Sequence, residues 1–249
     1  MPSIPVDILR LILEHVDRAD LAKICLLNKI CCSCSQDVLY REIDQEIVTF
    51  VCWTLAQSTH LAKRVHSFEI YYEHPSLAEA LRNMISLRRL YLNFGHLISP
   101  TLLDGCTFKL DSLSIGLPFD EPLRTFLNSQ PSLTCVSFTY HMGRLFPFEE
   151  TCLPNLTRVT ASSNCLSQLI PGRPVSEVTL IDRVSDNRIP LTFFTLSTVP
   201  ILRLEINYWF LRSWTTPAPL ASICPSLTHM TLSIHFSLSK NHIVRKSFY

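Results

Sequence analysis

From Val65 onward the chain repeats one short phrase, apolar-x-x-apolar-x-apolar, and no other feature narrows its possible folds so far. The anchors are Val65, Phe68, Ile70; Leu87, Leu90, Leu92; Leu110, Leu113, Ile115; Leu133, Val136, Phe138; Leu156, Val159, Ala161; Val175, Val178, Leu180; Ile201, Leu204, Ile206; and Leu227, Met230, Leu232. From first anchor to first anchor the steps are 22, 23, 23, 23, 19, 26 and 26 residues. The last two anchors of each copy alternate as in a strand, so they point one way and the residues beside them point the other. Prolines stand just ahead of five of these strands, at Pro131, Pro154, Pro174, Pro200 and Pro225, where they end a preceding segment without removing an interior ladder bond. Segments 76–84, 121–128 and 218–223 have helix-like composition and serve as returns. A strand plus a return cannot bury its own apolar edge, so only stacking of successive copies does so.

Ahead of this array lies a helical stretch of different character. In Ile4-Pro5-Val6-Asp7, Pro5 suits the first turn of a helix, and Ile8, Leu9, Ile12, Leu13 and Val16 recur at helical spacing as one apolar face. Asp20 is placed to cap a second helix carrying Leu21, Ile24 and Leu27. Asn28 to Ser35 reads as a third helix, and Val38 to Ile43 closes the unit. Between residues 46 and 64 a bridging helix carries the stripe Ile47, Phe50, Val51, Thr54 and Leu55, with Trp53 at its flank, placed to pack on the neighbouring domain. Three helices in forty residues bury little core, and units this small usually lean on a partner or a neighbour.

Residues 4–43 resemble the F-box family. Ile4-Pro5-Val6-Asp7-Ile8-Leu9 stands where the family has Leu-Pro-x-Glu and an apolar pair, Asp20-Leu21 matches its Asp-Leu, Leu27-Asn28-Lys29 stands for Val-Ser-Lys, and Leu39-Tyr40-Arg41 for Leu-Trp-Arg. Ile4 replaces a Leu, and Cys31 stands where a Trp is frequent. The resemblance implies docking onto a Skp-family adaptor, and through it a cullin, by way of Ile4, Pro5, Ile8, Leu9, Ile12, Leu21, Ile24, Leu27, Leu39 and Tyr40.

The array resembles a leucine-rich repeat, whose period is about 20 to 29 residues. That family carries Asn or Cys eight residues after the first Leu; here Asn164 alone fills the slot, and Glu73, Gly95, Pro118, His141, Arg183, Trp209 and His235 occupy the others. The array is therefore degenerate, of the kind attached to fungal F-boxes. The expected fold class is α+β or α/β, a three-helix F-box followed by a leucine-rich-repeat-like solenoid with a parallel sheet. Its expected divisions are 1–45, 46–64 and 65–249. Only residues 236–249 remain to cover the last copy, so its end is expected to be truncated or covered by a partner.

Twenty-two Lys and Arg stand against 21 Asp and Glu, so no net field draws the chain to nucleic acid or an anionic membrane. The basic cluster Lys240 to Lys246 reads as a solvated tail. No run of eighteen apolar residues occurs, and the charges at Asp7, Arg10, Glu14 and Asp17 exclude a signal-peptide core, so the expected location is the cytoplasm, the nucleus or both. Ten cysteines then read as reduced. Cys31-Cys32-Ser33-Cys34, with Cys25 nearby, lacks the second ligand pair of a zinc site, so neither metal nor cofactor is expected. Nucleophile elbows, metalloprotease helices and phosphate loops are all missing, and no enzyme is expected.

Two functions fit: a substrate-recognition subunit of a Skp, cullin and F-box ubiquitin ligase, or a repeat scaffold that recruits no cullin. In either, a protein partner is expected on the strand face, where Arg89, Tyr91, Arg158 and Arg203 have the chemistry of interface anchors.

Overall fold

The computed structural model describes residues 4–44, 48–94, 101–116, 121–139, 148–149, 151–181, 191–207, 222–235 and 243–248. The chain divides into two compact units, Met1–Tyr91 with Thr101–Lys109, and Leu92–Pro100 with Leu110–Tyr249.

The first unit opens with α1 (Val6–Leu13), α2 (Arg18–Ile24) and α3 (Lys29–Leu39). Pro5 lies one residue outside α1, extended at φ −56° and ψ 142°, and its carbonyl accepts the Leu9 amide at 3.0 Å. Asp20 does not cap α2. Asp17 holds that position, and Asp20 sits in the first turn, paired with Lys23 at 2.7 Å, because the extended backbone needed by a cap ends three residues earlier. Asn28 does cap α3, its side chain accepting the Cys31 amide at 2.8 Å, and the helix runs four residues past Ser35. Leu13, Leu21 and Cys34 form the small buried core, with Leu9, Val16, Ile24, Val38 and Leu39 packed against it. The expected apolar face thus divides: Leu9 and Leu13 of α1 and Val16 beyond it turn inward, while Ile8 and Ile12 stay exposed.

The helices lead directly into a strand. In β1 (Glu42–Ile43), paired parallel with β2 (Ser67–Ile70), Ile43 stands opposite the anchor Phe68. Counting back three residues makes Tyr40 the matching first anchor, so the strand period starts inside the helical module.

Next come α4 (Val48–Gln57) and α5 (Thr59–Ala62). The inward stripe of α4 is Val48, Cys52, Leu55 and Ala56, one position round from the expected one, and Ile47 lies outside the described residues. Its partner decides this: α4 packs on α6 (Leu77–Asn83), and Asn83 donates to the carbonyls of Leu55 and Ala56 at 3.2 and 2.9 Å. Phe50 and Trp53 are consequently 82% and 61% exposed, where the stripe was expected to hold Phe50 and Trp53 to pack at its flank.

After β3 (Arg89–Leu92), the second unit carries β4 (Ser112–Ile115), β5 (Cys135–Phe138), β6 (Arg158–Ala161), β7 (Glu177–Leu180), β8 (Arg203–Asn207) and β9 (His229–His235), parallel and in chain order. Their returns include α7 (Glu121–Asn128), as expected, together with α8 (Ser163–Leu169) and the 3₁₀ helix Leu191–Leu196, which the sequence did not suggest. The anchors of the first seven copies are all buried, and Leu227, Met230 and Leu232 of the last are half-buried. The sheet is not wholly parallel. β10 (Ile243–Phe248) pairs antiparallel with β9 over six residues, so the stretch expected to leave the last copy uncovered supplies its edge with hydrogen-bond partners. Arg245 and Lys246, expected in a solvated tail, belong to that strand; Lys240 lies outside the described residues.

One backbone device recurs through the copies. The carbonyl just before a strand accepts two successive amides from the next copy: Arg41 takes His66 and Ser67, His66 takes Arg88 and Arg89, Asp111 takes Thr134 and Cys135, and Thr134 takes Thr157 and Arg158. Thr157, Ser176 and Leu202 continue the pattern to Thr228 and His229. Hydroxyls reinforce it, with Thr134 Oγ1 donating to Asp111, Thr157 Oγ1 to Thr134 and Thr228 Oγ1 to Leu202 at 3.0 to 3.1 Å. Asn164 performs no such duty: it lies exposed in α8, and Gly95, Pro118, His141, Arg183 and Trp209 lie outside the described residues.

Candidate functional site

Two surfaces carry the residues singled out from the sequence. The first is the outside of α1 to α3. A three-residue core cannot hide all the apolar side chains of three helices, and many lie in solvent: Ile4, Val6, Ile8, Leu11 and Ile12 in and beside α1, Leu26 and Leu27 between α2 and α3, and Ile30 at the start of α3. Leu26 and Leu27 are 86% and 70% exposed, a large cost for a surface that stays wet. Of the ten positions expected to dock an adaptor, Ile4, Pro5, Ile8, Ile12 and Leu27 are on this exposed set. Leu9, Ile24 and Leu39 pack against the core, Tyr40 is half-buried, and Leu21 is buried outright and thereby closed to a partner. Leu21 is one turn from α2's N-terminus on the side facing α1 and α3, and the helical period alone does not say which side that is. Val6, Leu11, Leu26 and Ile30 were missed; their apolar character at the solvent side of each helix was the available signal.

Ion pairs hold these helices. Asp37 of α3 accepts from Arg10 at 3.0 Å and pairs with Arg64, and Arg64 also donates to the Ser33 carbonyl at 3.0 Å. Arg41 pairs with Glu14, and Arg18 donates to the Glu42 carbonyl at 2.7 Å. The cysteines of this region are free thiols, and burial raises that of Cys25 above its ordinary value.

Residues 1–42 match the F-box domain family. The match rests on the same helices whose exposed face has just been described. An F-box domain is a non-catalytic protein-interaction module, consistent with an adaptor role beside a Skp-type protein and a cullin. Comparison of the chain with curated proteins returns no match.

The second surface is the outward face of the strands, described separately in the two units. In the first, Arg89 pairs with Glu42, and Tyr91 stacks on Tyr71 at 5.2 Å with ring planes 44° apart. The Tyr71 hydroxyl donates to Glu69, and that bond, with burial second, holds its phenol well above the ordinary range. In the second unit Arg158 donates to Glu177 at 2.8 Å, a bond that raises the guanidinium's proton affinity further. Arg203 stands on the next strand but one, and the two arginines line one cleft. The four expected contact residues therefore fall as two pairs, Arg89 with Tyr91 and Arg158 with Arg203. Glu177, Glu205 and His229, outward strand positions not taken as anchors, join them, as does Tyr71, which directly follows β2.

Among the described residues no His, Cys, Asp or Glu cluster could hold a metal ion, and no helix is long and apolar enough to cross a membrane.

Proposed function

We propose that this chain is a substrate-recognition subunit of a Skp, cullin and F-box ubiquitin ligase, its F-box docked on the adaptor and its strand units, a degenerate leucine-rich-repeat array, holding the protein to be ubiquitinated. The observation that carries the first half is the exposed apolar surface of the F-box: Ile8, Ile12, Leu26, Leu27 and Ile30 are 48% to 86% exposed, and hydrophobic surface of this extent is stable in solution when a partner removes it from water. The array reading is supported by parallel strands in chain order, a period of 19 to 26 residues and the recurrent two-amide carbonyl. The strand face offers aromatic and arginine side chains, the types that dominate protein interfaces. A cytoplasmic or nuclear location, where such ligases act, belongs to the same reading.

Ile12 and Leu27 are both exposed, so substituting both by Asp leaves the F-box core untouched. The double variant should keep the thermal unfolding of the parent and lose copurification of Skp adaptor and cullin. A folded variant that still brings down both removes this reading, and a parent that brings down neither leaves the scaffold reading in its place.

A further inference from the structure

The strand face of the second unit is uneven. On β4 and β5 the outward side chains are Ser112, Ser114, Cys135 and Ser137, all short. From β6 to β9 the parallel register sets Arg158, Glu177, Arg203 and His229 side by side, with Thr179, Glu205 and Thr231 two residues further along. Long charged side chains and the hydroxyls of Thr179 and Thr231 line a cleft of about 220 Å³. Adjoining strands are about 4.8 Å apart, so each charge is within reach of the next strand's.

Most of these charges are already answered. Arg158 and Glu177 pair at 2.8 Å, and the His229 ring nitrogen Nδ1 meets the Thr228 hydroxyl at 2.9 Å. Arg203 differs: among the described residues no carboxylate lies within ion-pair distance of its guanidinium, although it is exposed at the centre of the cleft wall. Its neighbour Glu177 is turned to Arg158 instead. Among the described residues the cleft therefore has one arginine outside any ion pair, hydroxyl donors at Thr179 and Thr231, and a size suited to a side chain.

We propose that the β6 to β9 cleft takes an acidic side chain of the bound protein, with Arg203 as counter-ion to its carboxylate. The proposal rests on reading the strand face as the partner-binding surface, and it adds the chemical class of what is read there. Two acids in the cleft, Glu177 and Glu205, select a single charge over a doubly charged phosphate, since the dianion meets like charge on two sides. A Lys or Arg from the partner would have to displace Arg158 from Glu177.

Selection from a phage library of random twelve-residue peptides on the full chain tests it. Recovered peptides should share one Asp or Glu, whose replacement by the amide weakens binding about tenfold or more. Arg203→Gln should lose that preference and Arg203→Glu should turn it towards Lys or Arg, while Ser112→Ala on β4 changes nothing; both positions are outward, and unchanged thermal unfolding confirms that the three variants fold. Failure to recover peptides, recovery without an acidic position, or indifference to Arg203→Gln overturns the proposal. So does a phosphoserine peptide that binds tenfold tighter than its Glu counterpart. Should the acidic preference hold while neither adaptor nor cullin copurifies, the ligase reading fails and the cleft assignment stands.

Discussion

In α1 to α3 only Leu13, Leu21 and Cys34 supply the buried apolar core, and eight large apolar side chains around them lie in solvent; across β4 to β8 every strand anchor is buried and the outward side chains are mostly hydroxyls and charges. Both regions are built from elements too short to bury an apolar face alone. The strands solve this with the next strand of the same chain, bonded through a shared carbonyl every 19 to 26 residues. The helices leave it open, with an exposed surface matched to the F-box's role as an interaction module. Apolar residues therefore do different things in the two regions: they close the interior in one and stay on the surface in the other.

Substitution of a Leu in each region breaks the comparison most directly. Leu113, fully buried on β4, should cost about 2 to 5 kcal/mol when changed to Ala, because the neighbouring copies cannot collapse onto the cavity. Leu26→Ala, at 86% exposure, should shift stability by no more than about 0.5 kcal/mol. Urea unfolding of the two variants measures both, and comparable losses would remove the distinction.

A second expected effect tests what holds the returns. Arg173 is buried, its guanidinium donating to the carbonyls of Cys152, Gln168, Leu169, Pro171 and Glu149 at 2.7 to 3.2 Å. Gln168 and Leu169 end α8, so one side chain closes a helix terminus and ties it to the preceding loop. Arg173→Met keeps the bulk and strands these acceptors, and should cost about 3 kcal/mol in the same measurement. A near-neutral result would mean that water replaces the guanidinium.

The hydroxyl reinforcement between copies is worth less. Thr157→Val preserves shape and removes one bond to the Thr134 carbonyl, which still accepts two amides, so the loss should be about 1 kcal/mol. Hydrogen exchange at the Thr157 and Arg158 amides should quicken with it; unchanged exchange would make the hydroxyls ornamental.

The smallest effect is at alkaline pH. Tyr71 has its folded-state pKa raised, chiefly by its bond to Glu69, so its contribution to stability is present below the unfolded phenol's pKa of about 10 and is lost as pH climbs from there. Tyr71→Phe should flatten that decline between about pH 10 and 11 without altering stability at pH 7 beyond about 1 kcal/mol. A phenolate absorbance titration in which Tyr71 ionises with the exposed tyrosines would contradict the assignment.

Much of the fold was legible in the residues. The apolar period placed β2 to β9, the Pro and helix-forming segments placed α6 and α7, and Asn28 marked the start of α3, because each of these signals is local and carries its own geometry. Arg89, Tyr91, Arg158 and Arg203 were legible as outward strand residues for the same reason. Their partners were not: Glu42 lies 47 positions from Arg89 and Glu177 lies 19 from Arg158, and only the register brings them together.

What the sequence by itself determined is therefore the alternation of inside and outside along each element, a property of backbone periodicity. What only the tertiary structure decided is which side of a helix counts as inside, and what completes an edge. Leu21 turned inward, α4 rotated to expose Phe50 and Trp53, Arg173 found five carbonyls, and β10 reversed direction to pair with β9. In each case the outcome depends on groups distant in the chain competing to satisfy buried apolar area and backbone hydrogen bonds, and a local pattern holds no record of that competition.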